Sequence, residues 1–172
     1  MDRRIKKTNN AIFEAYIQSK TAHPGTEPSV KEICALADIN KTTFYRYFTD
    51  VDSLSDYVIK AAATNLLIDG IDVGKLLTDP ETYFKHVLKN LKQDGDKLNA
   101  LLADGNRKFI FEAEKLLKTK LKEIFPDKYD EILYTFIAGG ASHYFLSANY
   151  NDENELQKFC SIIKSATASF NK

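Results

Sequence analysis

Apolar residues recur at spacings of three and four along almost the whole chain, the mark of amphipathic helices. Ile5, Ile12, Ala15 and Tyr16 share one face of a first helix expected from about Arg3 to Ser19. It should end before His23-Pro24-Gly25, because proline disfavours helical geometry in its predecessor and glycine suits a turn. Ile33, Leu36 and Ala37 give a short second helix its apolar face. Phe44 and Phe48, four apart, do the same for a third helix over Lys41–Phe48. Leu54, Val58 and Ala61/Ala62 mark a fourth helix reaching roughly Leu67, and Gly70–Gly74 reads as a connection. Beyond it, residues 80–93 repeat apolar groups at Tyr83/Phe84, Val87/Leu88 and Leu91. A short segment at Leu98–Ala103 precedes a turn at Asp104-Gly105-Asn106. Residues 107–125 carry Phe109, Ala113, Leu116/Leu117, Leu121 and Ile124 on one stripe, stopped by Pro126. A final pair is expected at 127–149 and 153–170. The stripes are Ile132/Leu133, Phe136/Ile137, Gly140 and Tyr144 in one, and Leu156, Phe159/Cys160, Ile163 and Phe170 in the other. No run alternates with a period of two. The pattern predicts an all-α chain, an N-terminal three-helix domain joined to a C-terminal helical domain.

The punctuation between the second and third helices is the most informative part. Ser29-Val30-Lys31-Glu32 has capping-box spacing: Ser29 would accept from an orphan N–H, and Glu32 would reach back to the Ser29 N–H. Asp38 tolerates left-handed backbone, and Asn40 suits the N-cap of the third helix. Asp50 can cap the fourth helix. A short helix, a tight three-residue turn and a second short helix form a helix-turn-helix. Its mechanism needs a second helix anchored by one apolar edge while the other face enters the major groove. With Phe44 and Phe48 buried, Thr42 and Arg46 project almost oppositely, and Thr43 and Tyr45 lie on the flanks. That face is hydrogen-bonding and singly basic, which suits base edges and phosphates. The plainer reading is a solvated helix in an ordinary bundle.

Composition changes this picture little. The 172 residues are 44% hydrophobic and 28% charged, with seven Gly and four Pro, as in a helical globular protein. Net charge is zero, which argues against a uniformly basic coat. Residues 1–49 nevertheless hold eight Lys/Arg against five Asp/Glu, and the remainder sixteen against nineteen. The first segment is the part suited to approach phosphates. Cys34 and Cys160 lie far apart without metal-like spacing, pointing to a reducing compartment. The charged first residues do not read as a signal peptide. Tyr134–Ala148, the most apolar stretch, is too short and too polar for a bilayer. A cytoplasmic protein with no membrane partner is expected.

The string Ser29-Val30-Lys31-Glu32-Ile33-Cys34-Ala35-Leu36-Ala37-Asp38-Ile39-Asn40-Lys41-Thr42-Thr43-Phe44-Tyr45-Arg46-Tyr47-Phe48, with Leu54 six residues on, closely resembles the DNA-binding domain of the TetR/AcrR family of bacterial regulators. The resemblance covers residues 3–60; beyond residue 70 it rests on the helical plan, the length and the Phe-Ile-Ala-Gly-Gly run at 136–140. It implies a helix-turn-helix DNA-binding domain over residues 1–50 and a C-terminal helical regulatory and dimerisation domain over 51–172. It further implies that Lys41, Thr42, Thr43, Tyr45 and Tyr47 contact bases or phosphates, together with Lys31 of the second helix. Arg46 joins them from its outward position. Two departures stand out: Val51 replaces a frequent phosphate-gripping Lys, and Asp38 replaces the frequent turn Gly. The resemblance implies a homodimer built through the last two helices, reading a pseudo-palindromic operator in double-stranded DNA. It also implies a small-molecule effector in the C-terminal domain, most often releasing a repressor. The alternative is a regulator or coactivator working through protein contacts, with a weak or repurposed DNA-binding domain.

Other candidates carry less. Arg3, Arg4, Lys6 and Lys7 form a basic start that either touches phosphates or is a solvated terminus. His23, His86 and His143 show no metal spacing; His143, in the most apolar helix, is expected in the core. Both cysteines read as small buried hydrophobes. Asp94-Gly95-Asp96 is a turn candidate without the ligand series of a calcium loop. Gly139-Gly140 within a helix is expected to allow close helix approach at the dimer contact. No nucleophile triad, phosphate-cradling loop or carboxylate pair appears, so no enzyme, metal or cofactor is expected.

Overall fold

The computed structural model describes residues 3–102, 107–128, 130–146 and 152–168, the side chains at 3, 4, 145 and 146 excepted. The basic side chains of Arg3 and Arg4, the turn expected at 104–106 and Phe170 lie outside the described residues. The elements are α1 (Arg3–Ala22), α2 (Val30–Leu36), α3 (Lys41–Tyr47), α4 (Val51–Leu67), α5 (Lys75–Thr78), α6 (Pro80–Leu102), α7 (Arg107–Ile124), a 3-10 turn at Pro126–Lys128, α8 (Glu131–Leu146) and α9 (Glu153–Ala166). The fold is all-α, with no strand among the described residues. Two compact units emerge, Met1–Ala61 with Asp94–Asn106, and Ala62–Gln93 with Arg107–Lys172.

The first unit closes around Ile12, Ala15, Tyr16 and Ile17 of α1, Ile33 and Cys34 of α2, Phe44 and Phe48 at α3, and Leu54 and Val58 of α4. Its short helices depend on their caps. Ser29 Oγ accepts from Glu32 N at 3.2 Å, and Asn40 Oδ1 from Thr43 N at 2.8 Å. The second half of the expected Ser29 capping box does not form: the Glu32 carboxylate instead accepts from Ser19 Oγ on α1. A full reciprocal box forms two helices later, at the start of α4, where Asp50 Oδ1 accepts from Ser53 N at 2.7 Å and Ser53 Oγ accepts from Asp50 N at 3.3 Å. Asp38 adopts a left-handed φ of 52° between α2 and α3. Ile33 and Cys34 are buried, but Leu36 is exposed, and Ala37 and Ile39 pack against the core instead. In α4, Ala63 is more fully buried than Ala61 or Ala62.

In the second unit, α5 arises where no helix was expected. Four residues are too few to show periodicity, yet Leu76 and Leu77 are buried and Asp72 Oδ1 accepts from Gly74 N at 3.0 Å ahead of it. The turn expected at Asp94-Gly95-Asp96 is instead a kink within α6, confined to Asp94 at φ −114°, ψ 17°. Along α7, Phe109, Ala113, Leu117 and Leu121 are buried, while Ile124 is exposed.

The stripe of α8 is rotated from expectation. Tyr134, Ile137, Ala138 and Ala141 face inward, whereas Ile132 is 83% and Phe136 63% exposed. A helix apolar on nearly every side offers periodicity no face to select. The same rotation leaves His143 exposed rather than in the core. Asp152 caps α9, accepting from Asn154 N at 2.8 Å, and Thr167 Oγ1 donates to Leu77 O at 2.9 Å beyond its end. Tyr144 stacks on Phe159 at 4.9 Å, and the Phe159 ring also lies against Gly140. Both cysteines are buried, and burial pushes the Cys160 thiol up to about 11.

Asn40→Ala should cost about 1 kcal/mol, and Phe44→Ala about 3 to 5 kcal/mol. Urea denaturation followed by circular dichroism checks both, and equal effects would show that the core anchor of α3 is misplaced.

Candidate nucleic-acid interface

A seven-residue helix is marginal by itself, so its neighbours must hold α3 in place. Phe44 is fully buried and sits in edge contact with Tyr45 (centroids 5.5 Å, planes at 88°) and against Phe48 at 6.0 Å. Phe48, the C-cap residue, in turn meets Tyr57 of α4 at 5.5 Å. The row of Phe44, Phe48 and Tyr57 pins one edge of α3 and leaves the opposite edge to solvent.

That solvent edge carries Lys41, Thr42, Tyr45 and Arg46, all exposed, with Tyr45 at 55%. Lys31 is exposed on α2. Thr43 is half-buried, its N–H engaged by Asn40. Tyr47 is half-buried and packs on the core. The structure thus brings Lys41, Thr42, Tyr45 and Arg46 together on one face, with Thr43 and Tyr47 on its margins. Val51 is half-buried against the core, and Asp52 is exposed.

The electrostatics are mixed. Lys31, Lys41 and Arg46 supply positive charge, and Lys6 and Lys7 are exposed on α1. Asp38, Asp50 and Asp52 lie in the same unit, all exposed. Burial raises the Cys34 thiol pKa, and the nearby Lys41 ammonium opposes that shift without cancelling it. Chemically the face offers one guanidinium for bidentate acceptors, hydroxyls that donate or accept, and ammonium groups for phosphate oxygens.

Two features escaped sequence reasoning. Tyr57 backs Phe48 and accepts from Asn9 Nδ2 at 2.8 Å, joining α4 to α1. Lys20 is buried on α1, where a lysine reads as solvated; its place one turn after Tyr16 on the apolar face was the available signal. Among the described residues, no group of three or more His, Cys, Asp or Glu is placed to hold a metal ion, and no helix is long and apolar enough to cross a membrane. The second unit has an open groove of about 520 Å³ between α6 and α9, lined by Lys85, Leu88, Lys89 and Lys92 on one side and Glu153 and Leu156 on the other.

No protein-family model matches the chain, and neither does any curated protein sequence. Among solved structures it is similar to a protein assigned to the TetR family of transcriptional regulators from Vibrio parahaemolyticus. The identity is 17%, the TM-score 0.48, and the match covers 92% of this chain and 97% of that one. So loose a superposition adds nothing to the site, which stands on the chain's own residues.

The cap that starts α4 is pH-dependent. The Ser53 N–H holds the Asp50 carboxyl below its usual value, against the opposing effect of desolvation, and the Ser53 and Thr49 hydroxyls add to the lowering. A depressed folded-state pKa stabilises above the unfolded value, about 4, and is lost as pH falls through the folded one. Asp50→Asn keeps an acceptor that does not titrate, so its urea midpoint should fall less than the wild type's between pH 5 and pH 2.5. Parallel acid limbs would show that the cap is not titrating.

Proposed function

We propose that the chain is a sequence-specific DNA-binding transcriptional regulator whose α3 enters the major groove. The observation that carries this reading is the division of α3, with Phe44 buried and Lys41, Thr42, Tyr45 and Arg46 exposed. Arg46 pairs with guanine or phosphate oxygens, Thr42 and Thr43 with base edges or phosphates, and Tyr45 with phosphate or the thymine methyl group. Lys31 and Lys41 hold the backbone on either side, and Tyr47 contributes its open edge. Residues 1–50 form the DNA-binding domain in this reading, and 51–172 the regulatory and dimerisation domain.

The regulator acts as a homodimer through α8 and α9, so that two recognition helices read a pseudo-palindrome. Ile132 and Phe136 on α8 and Ile162 on α9 expose apolar surface that supports such a contact, and the space open beside Gly139 permits close approach. A small-molecule effector binding the C-terminal domain favours one arrangement of the dimer and releases DNA by differential affinity, as a repressor requires. The α6/α9 groove is the cavity that supports an effector site. A second reading, a regulator acting through protein contacts with weak DNA binding, is favoured by Val51, where a phosphate-gripping lysine would extend the basic surface, and by exposed Asp52.

Selection of bound sequences from random duplex DNA, repeated at several salt concentrations, separates the two. A two-fold-symmetric site whose affinity falls linearly with log salt is expected. Absence of enrichment at low salt would leave the protein-contact reading standing. Thr43→Ala with Arg46→Ala should remove site preference while the dimer persists. In sedimentation, Phe136→Glu should shift the dimer to monomer, and an unchanged dimer would move the interface away from α8.

A further inference from the structure

Tyr16, Ser19 and Lys20 form a polar strip within one turn of α1, and all three are buried, Lys20 to 1% exposure. Each ties α1 to another segment. The Tyr16 hydroxyl donates to Glu27 Oε1 at 3.0 Å and lies 3.0 Å from the Ser55 hydroxyl of α4. Lys20 Nζ donates to the other carboxylate oxygen of Glu27 at 3.3 Å. Ser19 Oγ donates to Glu32 on α2. Glu27 stands in the α1–α2 connection, two residues before the Ser29 cap. The two carboxylates that α1 holds, Glu27 and Glu32, therefore bracket Lys31.

Stability alone is a poor reason for this arrangement. Burying an ammonium is costly, and replacing a buried ion pair by apolar groups of similar size is commonly neutral or stabilising. Glu27 keeps 44% of its side chain exposed, so the pair is not sealed from water and gains less from mutual attraction. What an apolar contact would not supply is direction. Two donors on two oxygens fix the Glu27 carboxylate in position and plane, and with it the entry of the chain into α2.

We propose that Lys20 is a positioning residue: through Glu27 it sets the start of α2 so that Lys31 meets the DNA backbone. This rests on the DNA-binding reading above. Lys20 touches no nucleic acid itself, and its effect on binding passes through Lys31.

The test uses the full chain and duplex DNA carrying the site recovered by selection. Lys20→Met keeps the length of the stem without the charge. Its thermal midpoint should match the wild type, while affinity falls about tenfold and the salt slope drops by about one, as for Lys31→Ala. The double variant Lys20→Met/Lys31→Ala should bind no more weakly than Lys31→Ala alone, because both remove one contact. Glu27→Gln, at a partly exposed position, keeps one acceptor oxygen for Lys20 while its NH2 can donate to the Tyr16 hydroxyl oxygen, and should fall between wild type and Lys20→Met. Additive losses in the double variant, unchanged binding by folded Lys20→Met, or unfolding of Lys20→Met would each overturn the proposal. A wild type that binds no DNA would overturn the DNA-binding reading first and this one with it.

Discussion

Seven residues make only two turns of helix, and a helix that short does not hold itself together in water. The orientation of α3 comes from Phe44, whose ring is wholly removed from solvent, and from Asn40, which closes the first turn. Burying a phenylalanine is worth roughly 1.5–3 kcal/mol, and a good N-cap about 1. Those two contributions determine which residues of α3 face outward. Thr42 and Arg46 are exposed because Phe44 and Phe48 are not. A change that rotated α3 by one residue would place Tyr45 in the core and withdraw the face offered to a partner.

Around that anchor the first unit is held by direct polar ties. The caps at Ser29, Asn40 and Asp50 follow one another at each helix start, and the left-handed turn at Asp38 fits between the first two. The α1 strip adds ties to the α1–α2 connection, α2 and α4. Charge is used sparingly. The lysines of the candidate face share the unit with Asp38, Asp50 and Asp52, so long-range attraction for phosphate is weak and contact geometry must supply more of the recognition.

The parts legible in the sequence were those set by local chemistry. A Ser or Asn at a helix start, an Asp where φ turns positive and a Phe pair four apart each have a short-range cause. The α8 face was not legible, because Ile132 and Phe136 are as apolar as the residues that pack and only tertiary contact chooses between them. Glu32 had two available partners, the Ser29 N–H and Ser19, and the choice depends on α1 lying alongside. For Lys20 the helical spacing from Tyr16 offered a signal, but its ion-pair partner Glu27 lies in a loop that periodicity does not place. At Asp94 the sequence signals a turn, yet the flanking apolar residues of α6 continue the helix through a kink.

The claim at the centre is that the exposed edge of α3 is the surface that meets duplex DNA. Amide chemical-shift mapping on the isotopically labelled chain, titrated with a mixed-sequence duplex at low salt and then with a selected site, tests it most directly. The account predicts shifts concentrated at Lys31 and from Lys41 to Tyr47, with Phe44 moved less than its exposed neighbours. Saturation with DNA that leaves those amides unmoved, or that perturbs α7 to α9 instead, would contradict it.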